Sequence, residues 1–304
     1  MNKVILSCTS GWESSRRIYT RLTTEDAILD QKVSENGEPV YKRFSNLSVD
    51  SFSKRDVFHY NRNKTIAIRW GTTISVANDG ELMAYNKAEN IALASDKPLA
   101  RKMLQKKGIA VPEIIENNNI NNIYPLIARK NFHERGKDLH VISNRESYDL
   151  AVEAGYTFFS KLYPRTREFR VHCAHGKVLM VNEKPMPENP LDIKACIEYF
   201  NNEEWSDAEY WSHYDPEICK IALDAVVALG LDFGGVDVMA FPADDSFPRQ
   251  VVCEVNTAPT LYGYGASRYA KYFDMLFNNQ ERVKHKDYSE FRNGIDFSWK
   301  NNFK

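Results

Sequence analysis

Two stretches decide how this chain is understood: Gly234-Gly235-Val236-Asp237-Val238-Met239-Ala240 and Val251-Val252-Cys253-Glu254-Val255-Asn256-Thr257-Ala258-Pro259. Each has the pattern of a short apolar strand that carries one acid. Side chains two positions apart share a face of a strand, so Glu254 and Asn256 point the same way. If the two strands are neighbours, Asp237 joins them. Two carboxylates and an amide oxygen then form a hard-oxygen site that suits Mg²⁺.

A structural explanation competes with the metal site. A single carboxylate in an apolar strand is more often a satisfied structural group, paired with an arginine or a backbone amide. Two acids and an amide on consecutive strands reverse that preference, because burying like charges together is costly unless a cation offsets them. The pattern therefore favours a metal site.

The bulk composition is that of a globular chain with little net charge. The chain has 304 residues, of which 43% are hydrophobic and 27% are charged, and its formal net charge is -1. This is enough apolar material for a core in two or three small domains. The charge balance indicates neither nucleic acid nor an anionic membrane as the main partner, and no apolar run is long enough to span a bilayer.

The cysteines and the N-terminus indicate a reducing compartment. The five cysteines are widely spaced and form no Cys-x-x-Cys pair, so a zinc site is not indicated. Most lie in apolar runs, where a reduced cysteine behaves as a small hydrophobic residue. The apolar run Val4-Ile5-Leu6 is too short for a signal peptide. We therefore expect a cytoplasmic protein.

The order of predicted elements divides the chain into three parts. Residues 1–84 are predicted to form a small N-terminal α/β domain. Residues 85–164 follow an α-β-β-α-β order, which is typical of a compact central subdomain. Residues 165–304 begin with a hairpin around His175-Gly176 and include the two opening strands. The expected fold class is α/β with α+β subdomains.

A helix is predicted to begin with Lys97 in its first turn and with Ser95 as its cap. The segment around Lys130 is a candidate for a nucleotide site. Lys130 ends a predicted strand and precedes a polar turn that contains Arg135 and Gly136. A lysine at such a strand end can hold a nucleotide phosphate while the loop closes, and an ordinary basic hairpin explains that segment equally well. Neither G-x-x-x-x-G-K-[ST] nor G-x-G-x-x-G occurs in the chain.

The predicted hairpin after residue 165 adds three further candidates. Glu168 and Arg170 share one face of their strand, and Lys184 is expected just beyond the partner strand. A carboxylate can bind ribose hydroxyls, and the two cations can stabilise a phosphoryl group or an acyl phosphate. Taken alone, the set fits a cross-strand charge pair better. The seven histidines show neither a Ser-His-Asp pattern nor His-x-x-x-His spacing.

In this order, the elements resemble the ATP-grasp superfamily, and within it the carboxylate–amine ligases such as D-alanine–D-alanine ligases and ribosomal-protein glutamate ligases. The resemblance covers roughly residues 85–259. It implies an ATP-grasp fold in which ATP lies between the central and C-terminal subdomains together with Mg²⁺, for which Mn²⁺ could substitute. The implied metal ligands are Asp237, Glu254 and Asn256.

The resemblance also implies roles for the other candidates. The implied nucleotide contacts are the phosphate lysines Lys97 and Lys130, the closing loop with Arg135 and Gly136, the adenine hinge Ser160-Lys161-Leu162-Tyr163, and the ribose acid Glu168. Arg170, with Lys184, would contact the acyl phosphate. The chain departs from the family pattern in two places: the closing loop is poor in glycine, and Ser160 stands where many members have an acid.

The activity implied by the resemblance is ATP-dependent joining of a carboxylate to an amine through an acyl phosphate. The alternatives are a small-molecule kinase on the same scaffold and a nucleotide-binding protein without turnover. Small molecules or peptides would supply the carboxylate and the amine, and Arg69-Trp70-Gly71 is the candidate substrate contact in the N-terminal domain. Dimers are common in the family, so a homodimer is a further expectation. The hairpin sequence is also similar to that of phage-encoded ATP-grasp proteins.

Overall fold

The computed structural model describes most of the central and C-terminal parts of the chain and selected stretches of its N-terminal part. The described residues are 2–8, 14–15, 17–18, 47–52, 65–73, 83–115, 124–129, 140–163, 167–184, 206–207, 216–241, 249–261 and 265–278. Both strands and helices occur along them, which confirms the expected α/β class.

The strands, in chain order, are β1 (Asn2–Cys8), β2 (Leu47–Phe52), β3 (Thr65–Trp70), β4 (Met83–Tyr85), β5 (Leu126–Arg129), β6 (His140–Ile142), β7 (Phe158–Lys161), β8 (Arg167–Ala174), β9 (Lys177–Lys184), β10 (Ser206–Asp207), β11 (Phe233–Ala240) and β12 (Gln250–Asn256). The helices are α1 (Ala88–Ser95), α2 (Lys97–Lys106), α3 (Arg145–Glu153), α4 (Pro216–Ala228) and α5 (Gly265–Asn278).

The strands form three sheets, one parallel and two antiparallel. The first four make a parallel sheet in the order β2-β1-β3-β4. The next three make an antiparallel sheet in the order β6-β5-β7. The largest sheet has five antiparallel strands in the order β10-β9-β8-β11-β12. A parallel sheet followed by two antiparallel ones matches an α/β chain with α+β subdomains, and the boundaries at residues 84 and 164 stay predictions.

The two faces of the largest sheet differ in polarity. On β8, the apolar side chains of Phe169 and Val171 are buried in a core that also contains Ile218 and Ala222 of α4. Burying a side chain such as phenylalanine stabilises the fold by about 1.5–3 kcal/mol. Because side chains alternate along a strand, the polar residues of β8 lie on the opposite face. The core side thus fixes the strands that carry the candidate site.

Helix α2 begins one residue later than expected. Its cap is Asp96, whose carboxylate accepts a hydrogen bond from the backbone N–H of Leu99 at 3.0 Å. Ser95 instead ends α1, and its hydroxyl donates to the carbonyl of Ile91 at 2.8 Å. An aspartate is as good a cap as a serine, so Lys97 keeps its place in the first turn.

The segment that follows α2 links the two antiparallel sheets. The backbone N–H of Val252 on β12 donates to the carbonyl of Ala110 at 2.9 Å. The backbone N–H of Lys161 on β7 donates to the carbonyl of Glu113 at 2.9 Å. The strand of the predicted adenine hinge and the strand of Glu254 are therefore attached to one short stretch of chain.

An aromatic cluster joins the parallel sheet to the largest sheet. Trp70, at the end of β3, stacks on Phe233 with ring centroids 5.6 Å apart and meets the edge of Tyr269 at 4.9 Å. Arg69 is also buried, and its Nη1 lies 3.4 Å from the carbonyl oxygen of Asn86. Within the predicted substrate contact Arg69-Trp70-Gly71, the side chains of Arg69 and Trp70 are enclosed by the junction between sheets, so the prediction is wrong for these two residues.

Among the described helices, none combines the length and the apolar character needed to cross a membrane.

Candidate active site

Polar side chains of four neighbouring strands line up across one face of the largest sheet. Asp237 is in register with Glu254 on one side and with Arg170 on the other. Glu168 is in register with Lys184. Directly opposed residues of adjacent strands are close enough for their side chains to interact. The two opening strands are therefore neighbours, as the metal-site interpretation requires, and the hairpin strand β8 lies beside them.

Arg170 and Asp237 form a bidentate ion pair at the centre of this face. Nε of Arg170 donates to Oδ1 of Asp237 at 2.6 Å, and Nη2 donates to Oδ2 at 2.8 Å. Burial raises the pKa of Asp237 to about 6, against the opposing effect of Arg170. Burial alone would lower the pKa of Arg170, but the nearby carboxylates, Asp237 first, raise it above its ordinary value. Both groups are therefore charged at neutral pH.

Glu254 and Asn256 extend the cluster from β12. Nζ of Lys97, at the start of α2, lies 2.8 Å from Oε2 of Glu254. Nδ2 of Asn256 donates to Oε1 of Glu254 at 3.1 Å and to Oδ2 of Asp237 at 3.3 Å. Burial acts to raise the pKa of Glu254, but Lys97 and its other partners lower the pKa well below its usual range. Glu254 is therefore ionised.

These three side chains are the ones on this face that could hold a divalent metal. One amide lies within hydrogen-bonding distance of both carboxylates, so Asp237, Glu254 and Asn256 converge on a common point. Rotation about the terminal bond of Asn256 turns its oxygen toward that point. Carboxylate and amide oxygens are the ligands that Mg²⁺ prefers. In the free protein, Lys97 pairs with Glu254 and Arg170 pairs with Asp237. The same acids are therefore paired with cations, as the structural explanation requires, and arranged with Asn256 as metal ligands would be.

Glu168 and Lys184 form a second pair on the same face. Nζ of Lys184 is 3.4 Å from Oε1 of Glu168, and the two side chains are only 10% and 9% exposed. Lys184 is the last residue of β9 rather than lying beyond that strand. Arg167 and Glu183, which point the other way, form the exposed pair of this hairpin at 2.6 Å. The sheltered position of Lys184 and Glu168 distinguishes them from an ordinary surface pair.

The predicted adenine hinge spans the end of β7 and the two residues after it. Ser160, Leu162 and Tyr163 are buried, and Lys161 is half-buried with Nζ 5.8 Å from the centroid of the Tyr163 ring. The ring of Tyr163 also packs against Phe241, immediately after β11, at a centroid distance of 5.4 Å. The hinge thus meets the strand that carries Asp237.

Three of the predicted nucleotide contacts, Lys130, Arg135 and Gly136, lie outside the described residues. Lys130 directly follows Arg129, the last residue of β5. Their roles stay predictions.

Close packing explains why glycines precede Asp237, and the sequence alone did not indicate this packing. A Cβ on Gly235 would lie 2.6 Å from Cβ of Pro259, and a Cβ on Gly234 would lie 3.2 Å from the carbonyl oxygen of Asn256. Real Cβ atoms do not approach other atoms as closely as the first distance. Glycine at 235 therefore lets the chain after Asn256 close against β11.

Two further residues of the polar face were not expected from the sequence. His172 is fully buried two residues from Arg170, and its Nδ1 lies 3.2 Å from the hydroxyl of Tyr269. Burial, followed by Arg170, lowers the pKa of His172 to about 3, so the ring is neutral at physiological pH. Asn182 is buried opposite Arg170 on β9. Their neighbours come from distant parts of the chain, which is why local patterns did not mark them.

No protein-family model matches this chain. No curated protein matches it either.

Comparisons of structure do find similar proteins. The D-alanine–D-alanine ligase of Bacillus anthracis, complexed with ATP, matches with a TM-score of 0.60 at 16% identity, over 93% of this chain and 98% of that chain. The macrocyclase MdnC of Microcystis aeruginosa, bound with the precursor peptide MdnA, matches with a TM-score of 0.58 at 11% identity, over 90% and 99%. A RiPP-associated ATP-grasp ligase of Chryseobacterium gregarium, with ADP and a leader and core peptide, matches with a TM-score of 0.58 at 12% identity, over 91% and 96%.

The likeness extends over nearly the whole of each chain and shows that this protein has the ATP-grasp fold.

Proposed function

We propose that this protein is an ATP-dependent ligase that joins a carboxylate to an amine through an acyl phosphate and releases ADP and phosphate. The observation that carries the proposal is the row of acids and cations across the largest sheet, where Asp237 lies between Arg170 and Glu254. Phosphoryl transfer depends on positioning and on charge stabilisation, which is what such a row supplies. No catalytic cysteine or histidine is required.

The nucleotide is proposed to lie between the central sheet and the largest sheet. The hinge residues 160–163 would receive the adenine, and Glu168 would bind the ribose. Lys97 would contact the phosphates once its ammonium leaves Glu254, from which it is separated by 2.8 Å in the free protein. Lys130 is proposed as the second phosphate lysine. The closing loop, with Arg135 and Gly136, would cover the phosphates.

Asp237, Glu254 and Asn256 are proposed to hold Mg²⁺. When bound, the ion would neutralise charge on the phosphate oxygens. Arg170 is suited to the reacting groups because it is held rigidly by two hydrogen bonds to Asp237. Lys184, beside Glu168, adds a second sheltered cation on the same face.

The proposed reaction has two steps. A carboxylate oxygen of the substrate attacks the γ-phosphorus, the bond from phosphorus to the β–γ bridging oxygen breaks, and ADP leaves. Arg170, with Lys184, stabilises the negative charge of the acyl phosphate. The amine nitrogen then attacks the carbonyl carbon, phosphate leaves with the bonding electrons, and the nitrogen gives up a proton. The residues bind and orient the reactants and are not themselves modified.

The structural comparisons bear on which substrates to test. Two of the similar structures, the macrocyclase MdnC and the Chryseobacterium gregarium ligase, hold peptides. Peptide carboxylates and amines therefore belong in a screen beside free amino acids. A cytoplasmic location, a phage origin and a homodimer stay predictions from the sequence.

The test is a screen of carboxylate and amine pairs with ATP and Mg²⁺, in which ADP is measured and products are identified by mass spectrometry. We expect ADP formation that needs both substrates, and a product whose mass is the sum of the two less water. Glu254→Gln should abolish this activity, while the matched variant Glu146→Gln, at an exposed position of α3, should retain it. A phosphorylated product formed without any amine would establish the kinase instead. If ATP binds but no ADP forms with any mixture of substrates, the chain is a nucleotide-binding protein without turnover.

A further inference from the structure

Arg101 is a buried cation that no step of the proposed reaction uses. It lies one helical turn after Lys97 on α2, so the two side chains share a helix face. Its side chain is among the largest that are fully enclosed, with an exposure of 2% for the residue. Arginine is rarely buried to this degree unless its charge is compensated.

The guanidinium of Arg101 holds the backbone next to a proposed metal ligand. Nε and Nη2 both donate to the carbonyl oxygen of Cys253, each at 3.3 Å. That carbonyl belongs to the peptide unit that leads into Glu254. Arg101 therefore connects the helix of Lys97 to the strand position of Glu254, and these are the two partners of the ion pair at 2.8 Å.

The same guanidinium also contacts the central sheet. It lies over the ring of Phe158, with Cζ 5.0 Å from the ring centroid. Phe158 begins β7, the strand that ends in the predicted adenine hinge, and it is in register with Arg129 of β5. From α2, which carries Lys97, the side chain of Arg101 thus contacts both β12, which carries Glu254, and β7, which ends in the predicted hinge.

The charge of Arg101 has little local compensation in the free protein. Nη1 has no hydrogen-bond partner among the described residues. Burial, followed by the neighbouring Arg129, lowers the pKa of Arg101 to about 9, with Cys253 and Glu254 acting in the opposite direction. Glu254 is itself engaged by Lys97 and Asn256. A buried, incompletely compensated cation costs free energy that a nearby anion would recover.

We propose that Arg101 is a positioning residue of the nucleotide cleft, which fixes Glu254 relative to Lys97 and the hinge and whose charge is compensated when the phosphates of ATP bind. The proposal rests on the proposed function. Arg101 need not touch ATP. Its hydrogen bonds to the carbonyl of Cys253 and its positive charge act on Glu254, and Glu254 in turn is paired with Lys97. The guanidinium suits this role better than an ammonium, because its planar fork spans the carbonyl and the aromatic ring together.

The test compares ATP binding with the stability of the free protein in Arg101→Met. Calorimetric titration with ATP and Mg²⁺, without carboxylate or amine, should show a Kd raised about tenfold or more. The melting temperature of the free variant should equal or exceed that of the wild type, because an apolar residue of similar size replaces an incompletely compensated charge. Arg101→Lys, which keeps the charge and loses the fork, should also bind ATP more weakly. Lys102→Met, which removes an exposed cation from the next position of the same helix, should bind ATP as the wild type does.

Wild-type affinity for ATP in both Arg101 variants would overturn the proposal. A lower melting temperature of free Arg101→Met with unchanged ATP affinity would assign Arg101 to the core alone and would overturn it too. If Arg101→Met does not fold, Arg101→Lys decides between the outcomes by its ATP affinity. A wild-type protein that binds no ATP would instead remove the proposed function on which the inference rests, so the two failures are distinguishable.

Discussion

Replacing Arg170 with methionine should destabilise the free protein strongly, because several acids lose a cation that they share. Asp237 loses two hydrogen bonds, at 2.6 and 2.8 Å, and Glu254 and Glu168 lose the field of the guanidinium. Removing one partner of a buried ion pair typically costs about 3–5 kcal/mol. We expect the lower end, about 3 kcal/mol, since the side chains of Arg170 and Asp237 keep 11% and 8% exposure and water reaches them in part.

The assay is urea unfolding followed by tryptophan fluorescence near neutral pH, without nucleotide or metal. The deficit of Arg170→Met should shrink as the pH falls toward about 6, because Asp237, without the guanidinium that lowers its pKa, takes up a proton at a higher pH than in the wild type, where the pKa is about 6. The control is Arg145→Met, which breaks an exposed pair with Asp149 at 3.0 Å and should leave the free energy of unfolding nearly unchanged. A deficit below about 1 kcal/mol for Arg170→Met would refute the reasoning, since it would mean that the acids do not depend on this cation.

Two other substitutions probe the same face of the sheet. Lys97→Met should raise the Kd for ATP about tenfold, because a phosphate contact is lost. The same variant should bind Mn²⁺ more tightly without nucleotide, because the ammonium 2.8 Å from Glu254 is gone. Equal Mn²⁺ affinities of variant and wild type, measured by electron paramagnetic resonance, would contradict this. His172→Gln should make stability less sensitive to acid. The pKa of His172 is about 3 in the folded protein and about 6.5 when unfolded, so its contribution is present above about pH 6.5 and is lost as the pH falls toward 3, by about 2 kcal/mol at pH 5; parallel pH–stability curves for variant and wild type would rule this out.

Alternation along strands was enough to predict much of the candidate site. It placed Glu254 and Asn256 on the same side of their strand, and Glu168 and Arg170 on the same side of theirs. The register of the largest sheet puts both pairs of residues on one face of that sheet. A period of two residues is a local property, so it survives without knowledge of the fold.

Contacts between non-consecutive strands could not be predicted in this way. The ion pair between Arg170 and Asp237 exists because β8 lies beside β11, although β9, β10 and α4 lie between them in the chain. The same is true of Arg101, whose acceptor on Cys253 is 152 residues away. The position of Arg101 four residues after Lys97 was the local signal that was available, and it showed a shared helix face but not what the face meets.

The burial of Trp70 shows the opposite failure. An arginine, a tryptophan and a glycine at a strand end suggested a substrate contact, but the indole stacks on Phe233 and meets Tyr269 edge-on inside a junction between sheets. Large aromatic side chains contribute most when buried, and sequence alone does not say whether a neighbouring sheet covers them.

The proposed acyl phosphate is tested most directly by following oxygen from the carboxylate substrate. With that carboxylate labelled with ¹⁸O, and with ATP, Mg²⁺ and the amine found in the screen, we predict that labelled phosphate is released in step with the amide product. Glu254→Gln should release none, and Glu146→Gln should behave as the wild type. Amide product accompanied by unlabelled phosphate would contradict an acyl phosphate formed in this cleft.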